Sequence, residues 1–158
     1  MKKIYLWAFI ATVAVAMSSC NMFNRNQPTF QLSDLQGLWQ ENSKEHFVRF
    51  TTEQSDEAGY FLGYEWDNAD WDDPEMTFEE YLLWNREQLG HPVNGWFKYN
   101  FNASGELTEI IFMEYDWAEI PKVYVVSKLT ETDLEYYEKG YENFVFHFSK
   151  VVEPQSTD

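Results

Sequence analysis

The chain has 158 residues, a formal net charge of −16 and aromatic side chains at 19% of its positions. This length favours one domain with a core of its own, and the many aromatic residues argue against a disordered chain. The excess of acidic residues argues against binding to nucleic acid, which requires Lys and Arg to neutralise phosphates. The charge leaves a basic protein partner possible.

The first 19 residues have the pattern of a secretory signal peptide. Lys2 and Lys3 are followed by an uncharged, mostly apolar run from residue 4 to residue 17, and then by the small residues Ser18 and Ser19. This order of charge, apolar run and small residues is typical of a segment that is cleaved after export. A membrane-spanning anchor is the alternative, although the apolar run is only marginally long enough.

Cys20, the single cysteine, directly follows this segment. The stretch from Met17 to Cys20 resembles the lipobox of bacterial lipoproteins, with Met17 at a position where the family prefers Leu. The resemblance implies that Cys20 becomes the first mature residue and is acylated on its sulfur, which would anchor the protein in the lipid bilayer. Asn21 stands where Asp often marks inner-membrane retention, so the resemblance implies an outer-membrane location in the cell envelope. An ordinary buried cysteine is the alternative.

Residues 20–32 are polar and without periodic pattern, which predicts a tether. A domain is expected over residues 33–152, with a tail at 153–158. Alternating apolar and polar residues, separated by turn residues, predict eight strands in this domain. Their expected ranges are 37–42, 45–51, 58–65, 94–101, 106–115, 121–129, 133–138 and 142–151.

Residues 76–92 predict one helix, inserted between the third and fourth strands. Thr77 and Glu80 have the spacing of a capping box, and Met76 and Tyr81 that of a hydrophobic staple. Gly90 supplies a stop signal at the other end. Phe78, Tyr81, Leu82 and Leu89 are expected to share one side of the helix.

Eight consecutive strands joined by hairpins favour an all-β fold, an up-and-down antiparallel barrel without exposed edges. A two-sheet sandwich is the alternative. In such a barrel the tether and the inserted helix belong to opposite ends, because successive connections alternate between the ends. The helix is therefore expected to cover the end away from the tether, either as a movable lid or as a permanent closure of the core.

Gly37 and Trp39, at the start of the first predicted strand, resemble the Gly-x-Trp motif of the lipocalin-like (calycin) families. The resemblance implies that Trp39 plugs one end of the barrel under a basic residue of the last strand, for which Lys150 is the candidate. Thr132 and Asp133 are similar to the pair that precedes the seventh strand in these families. The resemblance covers residues 33–151 and implies a small lipocalin-like lipoprotein.

Several apolar side chains are candidates for lining a ligand cavity inside the barrel. The alternative is that they fill the interior completely, as is common in small barrels. The candidates are Phe97, Tyr99, Phe101, Ile111, Met113, Tyr115, Phe144, Phe146 and Phe148.

Acidic residues between positions 68 and 79 have part of the spacing of a calcium loop. Asp73 occupies the position that requires glycine, and Pro74 follows it, so a solvated acidic loop before the helix is favoured. The three histidines lack a metal-ligand spacing. The chain also lacks a nucleophile elbow, a phosphate loop and a zinc-protease motif, so we expect neither an enzyme nor a cofactor.

Two functions follow from these patterns. The first is binding of a small apolar or amphipathic molecule in the barrel of a lipid-anchored envelope protein. The second is a protein-interaction or inhibitor module with a closed core, which would dock a basic partner through Trp66, Trp71 and the acidic residues Asp70, Asp72 and Asp73.

Overall fold

A computed structural model of the protein describes residues 29–68, 73, 75–92, 94–112 and 120–153. Eight strands form a closed antiparallel barrel, in which each strand pairs with the next and the last pairs with the first. The strands are β1 Gly37–Glu41, β2 His46–Gln54, β3 Phe61–Asp67, β4 Trp96–Phe101, β5 Glu106–Ile111, β6 Ile120–Leu129, β7 Asp133–Glu138 and β8 Val145–Lys150.

Two helices accompany the strands in the part of the chain that the structure describes. The short helix α1, Leu32–Leu35, precedes β1, and α2, Phe78–Leu89, lies between β3 and β4. The predicted up-and-down barrel with one helix between the third and fourth strands is confirmed, and the two-sheet sandwich is wrong. The sequence analysis did not predict α1. Neither described helix has the length and apolar character needed to cross a membrane.

The predicted strand limits differ from the structure where a turn takes residues from a strand. The fourth strand begins at Trp96 rather than at residue 94, because Gly95 has a positive φ of 89°. The eighth begins at Val145, because Tyr141–Phe144 form a turn in which the Phe144 N–H donates to the Tyr141 carbonyl. Positive φ favours glycine and ends regular extended structure.

The chain before β1 closes one end of the barrel, which we call the N-terminal end. Phe30 is buried there, and its N–H donates to the Ala103 carbonyl in the turn between β4 and β5. Leu35 is fully buried, and its carbonyl accepts a 2.7 Å hydrogen bond from Trp39 Nε1. Apolar burial and a satisfied indole N–H together stabilise this closure.

Helix α2 has the predicted capping box. The Thr77 hydroxyl accepts from the Glu80 N–H at 3.2 Å, and the Glu80 carboxylate accepts from the Thr77 N–H at 2.8 Å. Gly90 ends the helix in the left-handed conformation, with φ 72°. The local signals at both ends therefore define the helix before any tertiary contact does.

Helix α2 packs on the outer wall of the barrel. Its buried Leu82 belongs to a cluster formed by outward-facing strand residues, namely Leu38, Leu62, Tyr64, Trp66 and Trp96. Glu79 of the helix also accepts a 2.9 Å hydrogen bond from the Tyr64 hydroxyl and pairs with Arg49 at 3.0 Å. The expectation that this helix covers a barrel end is therefore wrong, because its apolar side contacts the wall.

Candidate ligand-binding site at the distal end of the barrel

The end of the barrel opposite the N-terminal segment is the candidate site, and we call it the distal end. The strand ends that the connections β1–β2, β3–β4, β5–β6 and β7–β8 join lie there, as the up-and-down order requires. Strand pairing places Phe50, Gly63, Phe97 and Ile111 in successive opposite positions on the inner face. Side chains two residues apart share a face, so these pairs define which residues of β2–β5 face the interior.

Most predicted lining residues belong to the main core of the barrel or pack against it. Phe97, Tyr99 and Phe148 are fully buried in the main core. The Tyr99 hydroxyl donates to the Thr51 carbonyl at 2.6 Å, so its polar end has a partner. Phe101, Ile111 and Phe146 are half-buried against this core. Around this core, the alternative of a filled interior describes the structure.

Three predicted lining residues lie elsewhere. Phe144 is 71% exposed and precedes β8, so it lies at the rim of the distal end rather than inside the barrel. The turn formed by Tyr141–Phe144 carries it out of the alternating pattern on which the prediction rested. Met113 and Tyr115 lie outside the described residues.

A cavity of about 410 Å³ opens at this rim. Its lining combines aromatic or apolar side chains with two carboxylates and one ammonium group. These residues are Glu41, Lys44, Glu138, Tyr141, Phe144, Val145 and Phe146. The volume falls within the range of small-molecule sites, which combine apolar walls with a few polar groups.

The barrel interior also carries polar side chains, one of which, Tyr136, lies 5.5 Å between ring centres from Phe146 of the cavity wall. Glu109, Tyr124 and Tyr136 face inward, and each is at least nine-tenths buried. The hydrogen bonds among the described residues include none to these three polar ends. Every fully enclosed side-chain N or O atom in the described part has a partner. It follows that these three polar ends reach space inside the barrel that a water-sized molecule can enter.

Burial changes the ionisation of these groups. Loss of hydration raises the pKa of Glu109 to about 8, with a further rise from the nearby Glu65 carboxylate and an opposing effect of Lys122. Burial also raises the pKa of Tyr124 and Tyr136. At neutral pH, Glu109 is therefore mostly protonated in the empty barrel, because a buried carboxylate without donors is costly.

A histidine lies between two carboxylates near the same end. His46 Nδ1 lies 3.1 Å from Glu41 Oε2, and His46 Nε2 lies 3.5 Å from Glu65 Oε2. The contact with Glu65 has the largest effect and raises the pKa of His46. Partial burial lowers this pKa, and the contact with Glu41 raises it further. Glu41 also pairs with Lys44 at 2.6 Å. These contacts fix the charged groups at the rim.

The three residues of the Gly-x-Trp resemblance meet at the N-terminal end. Trp39 is fully buried, and Lys150 Nζ lies 4.8 Å from the centre of its ring. Lys150 Nζ also donates to the Gln36 carbonyl at 2.9 Å. A Cβ atom on Gly37 would lie 2.8 Å from Lys150 Cε, so a side chain at position 37 would displace the lysine. These contacts are those of a plug that closes this end.

The acidic segment before α2 is only partly described. Asp70, Trp71, Asp72 and Pro74 lie outside the described residues, as does Cys20 with the segment before it. Trp66 is 6% exposed and stacks on Phe47, which contradicts its expected role on an exposed face. Within the described ranges, His, Cys, Asp and Glu form no group of three or more suited to a metal ion.

The polar interior was not predicted from the sequence, although the residue pattern contained a signal for it. Glu109 lies between Leu107 and Ile111 in the two-residue alternation of β5, so its side chain is directed inward with theirs. A carboxylate therefore stands in an otherwise apolar row. Tyr124 and Tyr136 likewise alternate with the buried Val126 and Leu134. The convergence of these polar groups depends on barrel closure, which strand patterns alone do not define.

The geometry thus combines a closed N-terminal end, a polar interior and a cavity at the distal rim. Comparison of the chain with known protein families, with curated proteins and with solved structures finds no match.

Proposed function

We propose that this protein is a lipid-anchored protein of the bacterial envelope that binds a small amphipathic ligand at the distal end of its barrel. The observation that carries the proposal is the set of nearly buried polar ends of Glu109, Tyr124 and Tyr136, which have no hydrogen-bond partner among the described residues and are reachable by water. Buried polar groups are normally satisfied by protein groups or by ordered water. The polar part of a bound molecule would take the place of that water.

The distal cavity supplies the apolar part of such a site. Phe144 and Tyr141 are exposed at its rim, and Phe146 continues its wall inward to Tyr136, at 5.5 Å between ring centres. An amphipathic molecule could place its apolar part against these rings and its polar part toward the interior groups. The proposed activity is binding without bond formation or cleavage.

The N-terminal sequence supports the location. The signal-like residues 1–19, followed by Cys20, resemble a lipobox, and acylation of Cys20 would anchor the chain to the bilayer. Such anchoring becomes stable when more than one acyl chain is attached. Because the tether leads to the N-terminal end of the barrel, the distal cavity would face away from the membrane.

Native mass spectrometry tests the binding proposal. Residues 29–153 contain all eight strands and the closing N-terminal segment, so a chain that begins at Asn21 retains every contact described above. We expect this protein, purified gently from bacterial cells, to carry a reproducible small-molecule adduct. A bare protein mass, together with no uptake of fatty acids or haem, would contradict the proposal.

A second candidate is docking of a basic protein partner at the distal rim. Exposed Tyr141 and Phe144 lie there beside Glu138, on a chain with a formal net charge of −16. Exposed aromatic side chains on an acidic protein surface suit a partner rich in Lys and Arg. Partner binding that weakens strongly with salt, together with a bare protein mass, would favour this candidate.

A further inference from the structure

We infer that the ligand of the distal end carries a positively charged nitrogen, and that Glu109 is the carboxylate that receives it. The inference rests on the proposed function and specifies the chemical class of the ligand. Its first support is the position of Glu109, which is 6% exposed, faces the interior and accepts no hydrogen bond from a described donor.

The second support is the balance of charge inside this end of the barrel. Strand alternation directs the carboxyl groups of Glu41, Glu65, Glu109 and Glu138 inward, together with the cationic groups of His46 and Lys122. Lys44 adds a third cationic group, which pairs with Glu41 at the rim. The four carboxyl groups therefore exceed the three cationic groups by one charge once Glu109 is ionised. His46 is already held between Glu41 and Glu65. An added cation would lower the repulsion among these carboxylates, whereas an anion would increase it.

Lys122 is the basic group that faces Glu109 from the adjacent strand. The two residues are directly opposite in the pairing of β5 with β6, and Lys122 lowers the pKa of Glu109. Lys122 and Glu109 nevertheless form no ion pair within the part of the chain that the structure describes. The remaining groups that surround Glu109 are Tyr99 on β4, Tyr124 on β6, Tyr136 on β7 and Glu65 on β3. The carboxylate therefore retains its capacity to accept a donor from a ligand.

The third support is the arrangement of aromatic rings. Tyr124 and Tyr136 are 5.1 Å apart between ring centres with an interplanar angle of 67°, and Phe146 lies 5.5 Å from Tyr136. Such rings present faces and hydroxyl oxygens, both of which attract a cation. An alkylammonium group can thus contact Glu109 and the tyrosines while its apolar chain follows Phe146 toward the rim.

Three probes with the same octyl chain test the inference, namely octyltrimethylammonium, octyl sulfate and octyl glucoside. Isothermal titration calorimetry below their micelle concentrations would measure each affinity for the chain that begins at Asn21. At pH 9, where Glu109 is ionised, we expect octyltrimethylammonium to bind about tenfold or more tightly than the other two, since one charge contact of this kind contributes at least about 1.4 kcal/mol.

The pH dependence and a matched pair of variants identify the carboxylate. The quaternary ammonium does not titrate, so its affinity should increase from pH 6 to pH 9 as Glu109 ionises near pH 8. Glu109→Gln should abolish both this increase and the preference for the cation. Glu106→Gln should retain both, because Glu106 lies on the outer face of the same strand and pairs with Lys139.

The outcomes separate this inference from the proposed function. Equal binding of all three probes would overturn the inference and leave ligand binding supported. A preference for the ammonium that persists in Glu109→Gln would overturn the role of Glu109. Failure of all three probes to bind would overturn both proposals. If Glu109→Gln binds octyl glucoside with the same affinity as the wild type, the variant retains the folded site.

Discussion

Lys150 Nζ lies 4.8 Å from the centre of the Trp39 ring, and these two residues are directly opposite in the pairing of β8 with β1. The last strand therefore contributes a cation to the plug that the first strand forms. The contact joins the two strands whose pairing closes the barrel, and the Lys150 ammonium also donates to the Asp34 and Gln36 carbonyls. This residue pair thus links the closure of the sheet to the closure of one barrel end.

Lys150→Met should lower the free energy of unfolding by about 1–3 kcal/mol, because it removes a cation–π contact and leaves two carbonyls without their donor. Urea unfolding monitored by tryptophan fluorescence measures this change. Lys139→Met is the control, since Lys139 is exposed and pairs with Glu106 at the surface. Equal effects of the two substitutions would contradict a special role of Lys150.

Glu109→Gln should make the protein more stable at pH 8 and change its stability little at pH 4. The pKa of Glu109 rises from 4.5 to about 8 on folding, so its contribution to stability is present below pH 4.5 and is lost as the pH rises toward 8. In that interval the difference between wild type and variant should change by about 1.4 kcal/mol per pH unit. Urea unfolding at several pH values checks the slope, and a difference that does not vary with pH would refute it.

Leu82→Ala should lower the free energy of unfolding by about 2–4 kcal/mol, because Leu82 is 2% exposed between α2 and the outer barrel wall. The neighbouring Leu83→Ala should have a much smaller effect, since Leu83 is 44% exposed. Hydrogen exchange should increase in α2 of Leu82→Ala while β5–β8 remain protected. Faster exchange throughout the barrel would show that the helix stabilises more than the adjacent wall.

Gly63→Ala should destabilise the barrel by about 1–3 kcal/mol, because a Cβ atom at this position would collide with the Phe97 ring and lie 2.9 Å from the Arg49 carbonyl. Phe97→Leu offers a smaller side chain at the point of collision. In a double-mutant cycle, the combined variant should lose less stability than the two single variants together. Strict additivity would indicate that Phe97 is not the group that collides.

Cys20→Ser should prevent lipid attachment and release the protein from the membrane fraction, if Cys20 is the acylated residue that the lipobox resemblance implies. Labelled palmitate incorporated during growth measures the attachment, and fractionation of cells measures the location. Cys20 is the single cysteine of the chain, so no other thiol can be labelled. Ser19→Ala is the control, because it changes the adjacent residue and keeps the thiol. Labelling that persists in Cys20→Ser would exclude this thiol as the acceptor.

Features that depend on neighbouring residues could be predicted from the amino-acid sequence. The capping box of Thr77 with Glu80 and the stop at Gly90 define α2, because each of these signals acts within one helical turn. The two-residue alternation and the turns likewise identified all eight strands and their order in the barrel. Local chemistry was least informative at the strand ends, where Tyr141–Phe144 form a turn despite their aromatic character.

Which faces are covered and which residues come together depends on the packing of the whole barrel. Helix α2 packs against the outer wall near Trp66, because outward apolar residues on several strands form one patch that no single strand reveals. Glu109, Tyr124 and Tyr136 come together only when the sheet closes, since they belong to three different strands. Desolvation then acts on all of them at once. The chemistry of the site therefore arises from closure of the barrel, which brings distant residues into one low-dielectric interior.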